Sequence, residues 1–282
     1  MSSKNRSGGF GLKRKFRQFL KVSEHRTWPA APYDAVELIY WSPGPDGVNF
    51  GDELARIVVL AMLGRKGLTP LDQTSTPHTM LAIGSILHFA PDGATVWGSG
   101  ANVHEGRERE YKFSDLDVRA VRGPHTAEFL RKKGLHVPDV YGDPALLLRE
   151  LFPNRFIKTG EYPVGIVPNF ADIEHAKDSG HHFISPLRGW NICIEDILKC
   201  EFVIASSLHG LIIAESWGIP ARYVRLTDNE GLFKYRDYYS GTGRPNFQYA
   251  RSIPEALKMG GEAPPIFDSR ALMNAFPYDL WD

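Results

Sequence analysis

The apolar positions fall into short, near-continuous runs separated by turn residues. Val36–Trp41, Met80–Ile83, Thr95–Trp97 and Val118–Val121 read as buried strands. Between the first two lies a helical pattern. Leu54, Ile57, Val58 and Ala61 share one face, Asp52 is the expected cap, and the end falls near Arg65. Pro124, with its fixed φ, opens a second helix and Gly134 ends it. Phe152–Glu161 reads as a linker, after which the pattern restarts. Strands are expected at Val164–Val167, His182–Ile184, Phe202–Ala205 and Arg222–Leu226, with helices at Glu195–Lys199 and Gly210–Trp217. Ser252-Ile253-Pro254-Glu255 has the form of a capping box opening a helix to about Met259. Strands alternating with helices predict parallel sheets, hence an α/β fold of two Rossmann-like domains facing a cleft. The expected divisions are a basic arm and linker at 1–33, a first domain at 34–152, and a second at 161–282 with C-terminal helices.

Composition narrows this picture. A hydrophobic content of 43% is enough for a core and argues against global disorder. No apolar run reaches the ~18 residues that cross a bilayer, and no continuous apolar stretch of signal-peptide type follows the basic start. A cytoplasmic location is therefore expected. Cys193 and Cys200 fit a reducing compartment and are expected to be buried. No Cys/His cluster has zinc-like spacing, so no metal is expected. The net charge is zero but uneven: residues 1–30 hold eight Lys and Arg against Glu24 alone, a net +7. Phe10, Leu12, Phe16, Phe19 and Leu20 interleave with these cations, a pattern that fits docking on an anionic membrane surface. A disordered, solubilising tail is the alternative. The acidic remainder lacks a basic aromatic platform, which argues against nucleic acid.

Open α/β sheets bind ligands at the carboxyl ends of their strands. The loops there carry the candidate chemistry. Asn49-Phe50-Gly51-Asp52 follows the first strand; Gly51 permits close backbone approach, and the helix start offers N–H groups to an anion. Asp52 suits hydroxyl recognition or capping better than a phosphate contact. Gly84-Ser85 and Gly98-Ser99-Gly100 end the next two strands, with ordinary turn chemistry as the alternative. Arg122, between a strand end and a helix start, is well placed to hold a carboxylate or phosphate bidentately; a surface ion pair is the alternative. Asp143, in Gly142-Asp143-Pro144, could brace its loop or touch substrate. The most informative stretch runs from Val203 through Ser206-Ser207-Leu208-His209-Gly210 to Glu215 and Gly218-Ile219-Pro220. Its serine hydroxyls lie near a helix N-terminus, and His209 can deliver a proton near neutral pH. Lys234-Tyr235-Arg236-Asp237-Tyr238-Tyr239 interleaves charges and aromatics that could stack on sugar rings, or else form a helix packing its tyrosines inward.

Together, Asn49-x-Gly51-Asp52, the Gly/Ser strand ends, Arg122-Gly123-Pro124, Gly142-Asp143-Pro144 and Leu208-His209-Gly210 through Pro220 resemble the polysaccharide pyruvyl transferases over roughly 36–239. The resemblance implies a glycosyltransferase-B-like fold and phosphoenolpyruvate as co-substrate, with no cofactor. It also implies a lipid-linked saccharide acceptor in exopolysaccharide synthesis, met by a cytoplasmic enzyme peripheral at the inner membrane. His209 would be the general acid and Arg122 the donor clamp. Asn49, Gly51, Arg188, Ser206, Ser207 and Leu208 would line the donor, and Asp52, Asp143, Lys234 and Arg236 the acceptor. Ser207 stands where many relatives carry Arg, so another cation must take that task; Arg122, Arg188, Arg222, Lys234 and Arg236 are the candidates. The same Ser206–Pro220 stretch also resembles sugar-nucleotide glycosyltransferases, where Glu215 would grip ribose. A non-catalytic carbohydrate-binding protein is the third reading, motivated by Ser207.

Overall fold

Runs of Val, Ile, Leu and Ala with few polar interruptions bury both faces of a strand, and such strands pair in parallel under helices. A computed structural model of the chain describes residues 24–26, 28, 31–44, 47–103 and 110–282 and bears this out with two sheets. The first has the order β1-β2-β3-β4-β5. Strands β2 (Val36–Ser42), β3 (His78–Leu81), β4 (Ala94–Trp97) and β5 (Leu116–Ala120) are parallel, with Leu38 opposite Met80 and Val96 opposite Val118. β1 (Glu24–Arg26) adds an antiparallel edge to β2. Those residues, expected in the arm, thus join the first sheet; the arm's basic and apolar residues from 4 to 21 lie outside the described residues.

The second sheet, order β7-β6-β8-β9, is wholly parallel: β6 (Tyr162–Val167), β7 (His182–Phe183), β8 (Cys200–Ala205) and β9 (Ala221–Tyr223). The two sheets are wound differently. Strands β2 to β5 succeed one another in space, whereas β6 is followed by β7 on one side and β8 on the other. A switch of this kind opens a crevice at the carboxyl ends of the central strands. Residues 206–209, which follow β8, lie at that end of the sheet.

Helix α1 (Phe50–Gly64) follows β2 and joins the two sheets' helices. Phe50, Leu54 and Val58 are fully buried in the same core as Ile194, Leu211 and Ile212. Those three belong to α5 (Trp190–Leu198) and α6 (Leu208–Ser216) of the second half. Between them come α2 (Pro124–Arg131), the short α3 (Leu148–Leu151) and α4 (Ile173–Ala176). After β9 come α7 (Phe233–Gly241), α8 (Ile253–Met259) and α9 (Arg270–Asn274). Cys193 and Cys200 are buried free thiols, and burial pushes both up to about 12. No helix among the described residues is long and apolar enough to cross a membrane.

Candidate functional site

Loops from both halves meet at His209. Asn49, rather than Asp52, caps α1: its Oδ1 accepts from the Gly51 N–H at 3.2 Å. The Phe50 N–H donates to the Pro186 carbonyl of the second half at 2.9 Å, drawing the helix start across. A Cβ on Gly51 would lie 2.2 Å from His209 Nδ1, so only glycine lets the helix start come this close to the imidazole.

His209 sits in the first turn of α6, whose cap is Ser207. Its Nε2 lies 3.7 Å from Asp143 Oδ2, and both atoms are buried without a hydrogen-bond partner. Asp143 is itself fixed, since its Oδ1 accepts from the Ala145 N–H at 3.0 Å. Two unsatisfied buried atoms of complementary chemistry face one another just beyond hydrogen-bonding reach. That arrangement sets the ring against a buried carboxylate.

Asp52, partly buried, completes the cluster. Burial raises its carboxyl from 3.8 to about 6, and the nearby His209 and Lys234 oppose that rise. Folded Asp52 therefore binds its proton more tightly than the unfolded chain does. Its penalty on stability is absent below about pH 4 and develops as pH rises through 6. Thermal melts of Asp52→Asn should show a higher Tm than wild type above pH 6, with the difference fading below pH 4. An equal gap at both ends of that range would mean that the carboxyl is not desolvated.

The remaining expected site residues are placed as follows. Lys234 lies near Asp52 but pairs with Glu230 at 2.8 Å. Ser206 Oγ accepts from the Asn169 N–H at 3.0 Å, and Ser207 Oγ accepts from the Gly210 N–H at 3.2 Å. Both hydroxyl oxygens thus accept from the backbone and help to hold the turn. Leu208 is buried in the core. Arg188 pairs with Asp196 and has no bond to the cluster. Arg236 is exposed, on α7.

Arg122, expected as an open clamp, is closed off from a ligand. It is fully buried: its Nε donates to Asp237 Oδ2 at 3.1 Å and its Nη1 to Ser85 Oγ at 2.8 Å. A Cβ on Gly100 would lie 2.3 Å from the guanidinium carbon, so that glycine makes room for the buried arginine. Asp237 also accepts from the Thr126 N–H at 2.9 Å, tying α7 to the start of α2. Arg122 is a brace between the halves rather than an open clamp. The tyrosines of 234–239 are likewise internal: Tyr235 donates to the Ser206 carbonyl at 2.6 Å and Tyr238 to Glu215 at 2.5 Å. They offer no stacking surface to a sugar. The partner of Arg122 went unseen in the sequence, where Asp237 is one charge among several; only the tyrosines around it, at helical spacing, hinted at a buried face.

Glu215, the residue on which a nucleotide-sugar reading depends, is also committed. Arg244 grips both of its oxygens, at 2.8 and 2.7 Å. The larger described cavity, of about 440 Å³, borders Glu215, Arg149 and Phe267 and contains none of the cluster residues. Among the described residues no group of His, Cys, Asp and Glu could hold a metal ion.

The polysaccharide pyruvyl transferase family matches this chain over residues 49–228, from the cap of α1 to beyond β9. The chain belongs to that family. It is thus a transferase of the polysaccharide-pyruvylating class, with a polysaccharide acceptor as the implied substrate. The match takes in Asp52, Asp143 and His209, and leaves Lys234 and Arg236 beyond its end. Two curated proteins are similar. One is an uncharacterized protein of Acanthamoeba polyphaga mimivirus, 26% identical over 72% of this chain and 74% of its own length. The other is the succinoglycan biosynthesis protein ExoV of Rhizobium meliloti, 28% identical over 52% of this chain and 48% of its own. Among solved structures, an uncharacterized Klebsiella pneumoniae protein aligns over 86% of this chain and all of its own, with TM-score 0.50 and 13% identity. That likeness concerns the fold alone.

Proposed function

We propose that this pyruvyl transferase moves the enolpyruvyl unit of phosphoenolpyruvate onto two hydroxyls of one sugar in an exopolysaccharide precursor, as a cyclic ketal. The similarity to a succinoglycan biosynthesis protein supports the exopolysaccharide setting. The observation that carries the reading is the His209–Asp143 pair, a proton donor with a buried carboxylate behind it. The two sheets act as two Rossmann-like domains of glycosyltransferase-B type, and the reaction occupies the crevice between them.

In this reading, His209 gives a proton to the donor's methylene carbon, using the C2–C3 π pair. Positive charge develops at C2. One acceptor hydroxyl adds there through oxygen as its proton passes to Asp52. The C2–O bond to phosphate then breaks, and phosphate leaves with the electron pair. The second hydroxyl closes the ketal and gives up its proton. One hydroxyl proton replaces the one His209 supplied, and the other leaves on phosphate, so charge and atoms balance. Asp143 is a positioning residue: with Nε2–H turned to it, Nδ1 is the nitrogen at Gly51 that meets the ligand. Asp52, raised to about 6, is ionised at neutral pH yet basic enough to accept a proton.

The saccharide is carried on a lipid at the inner membrane, where the basic segment 1–30 would meet anionic headgroups. The test is which donor stabilises the pure protein. Phosphoenolpyruvate at a hundredfold excess over its Kd should add about 2.7 kcal/mol of apparent stability and raise Tm. A nucleotide sugar should leave Tm unmoved, since Glu215 is held by Arg244 and Tyr238. The opposite pattern would favour a glycosyltransferase.

A further inference from the structure

The cluster at His209 is short of positive charge. Asp52, Asp143 and Glu230 gather there around Lys234, which is already paired with Glu230. A phosphate-bearing substrate needs cations beyond these. Of the arginines that could serve, Arg122 is bound to Asp237, Arg188 to Asp196, and Arg222 to Glu262 at 2.6 Å. Arg236 differs: its guanidinium makes no ion pair or hydrogen bond among the described residues, and it is exposed.

Arg236 lines a cavity of about 350 Å³ together with Arg225, His125, Phe233 and Asp228. Phe233 and Arg236 lie three residues apart and share a face of α7. Lys234, on the adjoining face, lies near enough to Asp52 to lower its carboxyl. Cavity and cluster are thus served by neighbouring faces of one helical turn. Arg225 holds only Asp228, at 3.0 Å, and that carboxylate's side chain is 91% exposed, so the pair is weak and exchangeable. The Arg225 Nε is buried with no partner at all. His125, also in the lining, has its Nε2 3.2 Å from Ser240 Oγ. Two arginines and a histidine therefore face a space containing one solvent-screened carboxylate.

We infer that this cavity is an anion subsite, in which Arg236 and Arg225 hold a phosphate group of a substrate. It supplies the cation that Ser207 does not. The group is either the phosphate of the donor or a phosphate that carries the acceptor; the chemistry of recognition is the same for both. The inference rests on the pyruvyl-transfer reading only for the identity of the substrate, since phosphate binding itself needs no turnover.

The test begins with titration of inorganic phosphate into the full chain at low salt, followed by calorimetry. Wild type should bind, and Arg236→Ala should weaken binding by about tenfold or more, as expected for the loss of one charge-assisted contact. Arg236→Lys should recover only part, because it lacks the bidentate fork. Arg225→Ala provides a second, independent variant. Kinetics then separate the sources. A raised KM for phosphoenolpyruvate at constant kcat assigns the subsite to the donor. A raised KM for a diphosphate-linked saccharide, but not for the same free saccharide, assigns it to the acceptor. Wild type that does not bind phosphate, or variants whose phosphate affinity and both KM values match wild type, would overturn the inference. Phosphate binding as expected without any ketal product would instead count against the pyruvyl-transfer reading alone.

Discussion

His209→Gln is expected to lower kcat by about 10²–10⁴-fold while leaving the donor KM nearly unchanged. Glutamine keeps much of the size and hydrogen-bonding ability of the imidazole but cannot deliver a proton as an imidazolium. The side chain is mostly buried and its ring is set by Asp143 and Gly51, so the loss comes from the missing proton rather than from a collapsed site. Asp143→Asn should lose less in kcat, because the amide still faces the ring while the carboxylate behind it is gone. The Asp143 Oδ1 contact to the Ala145 N–H survives in the asparagine, which keeps the loop in place. A structural histidine would give a different result, with lower Tm and normal turnover per folded molecule. A histidine that only holds phosphate would show its loss in donor KM.

The second large effect is on stability. Arg122→Ala should destabilise the fold by about 3–5 kcal/mol, because it leaves the Asp237 carboxylate buried without its partner. Urea denaturation would measure this directly. Asp237→Ala should cost a similar amount, and the double variant less than the sum, as for residues within one network. The residual cost of Asp237→Ala includes the lost contacts to the Thr126 N–H and hydroxyl. Arg122→Lys should rescue only in part, since one ammonium cannot serve both Asp237 and Ser85. If Arg122→Ala keeps wild-type stability and raises donor KM instead, the arginine is a clamp after all.

The strands were legible because apolar runs buried on two faces leave little ambiguity: Val36–Ser42 and Cys200–Ala205 lie where Val36–Trp41 and Phe202–Ala205 were expected. Ser252 caps α8 through the Glu255 N–H at 3.2 Å, as its spacing with Glu255 indicates. Boundaries drifted where strand and turn share residue types: β3 ends at Leu81, so Ala82 and Ile83, read as strand, already belong to the turn. β1 was hidden because Glu-His-Arg carries no apolar signal; it forms by pairing with β2. The site was legible as loops, since Gly51 and Asp52 come after β2, His209 after β8, and Asp143 just after the isolated bridge residue Tyr141. Its roles were not, because they depend on pairings across long separations. Arg122 meets Asp237 from 115 residues away, and Glu215 meets Arg244 from 29. Those pairings decide which cations are spent and which remain open, and a linear pattern does not carry them.

The most direct measurement runs the reaction in deuterium oxide with phosphoenolpyruvate and a saccharide acceptor, then examines the ketal methyl group by mass spectrometry and NMR. Proton delivery to the donor's methylene carbon predicts one solvent deuterium in that methyl group for each ketal formed. A ketal product whose methyl group carries no solvent deuterium would contradict proton transfer from His209 to the donor carbon, whatever the variants do.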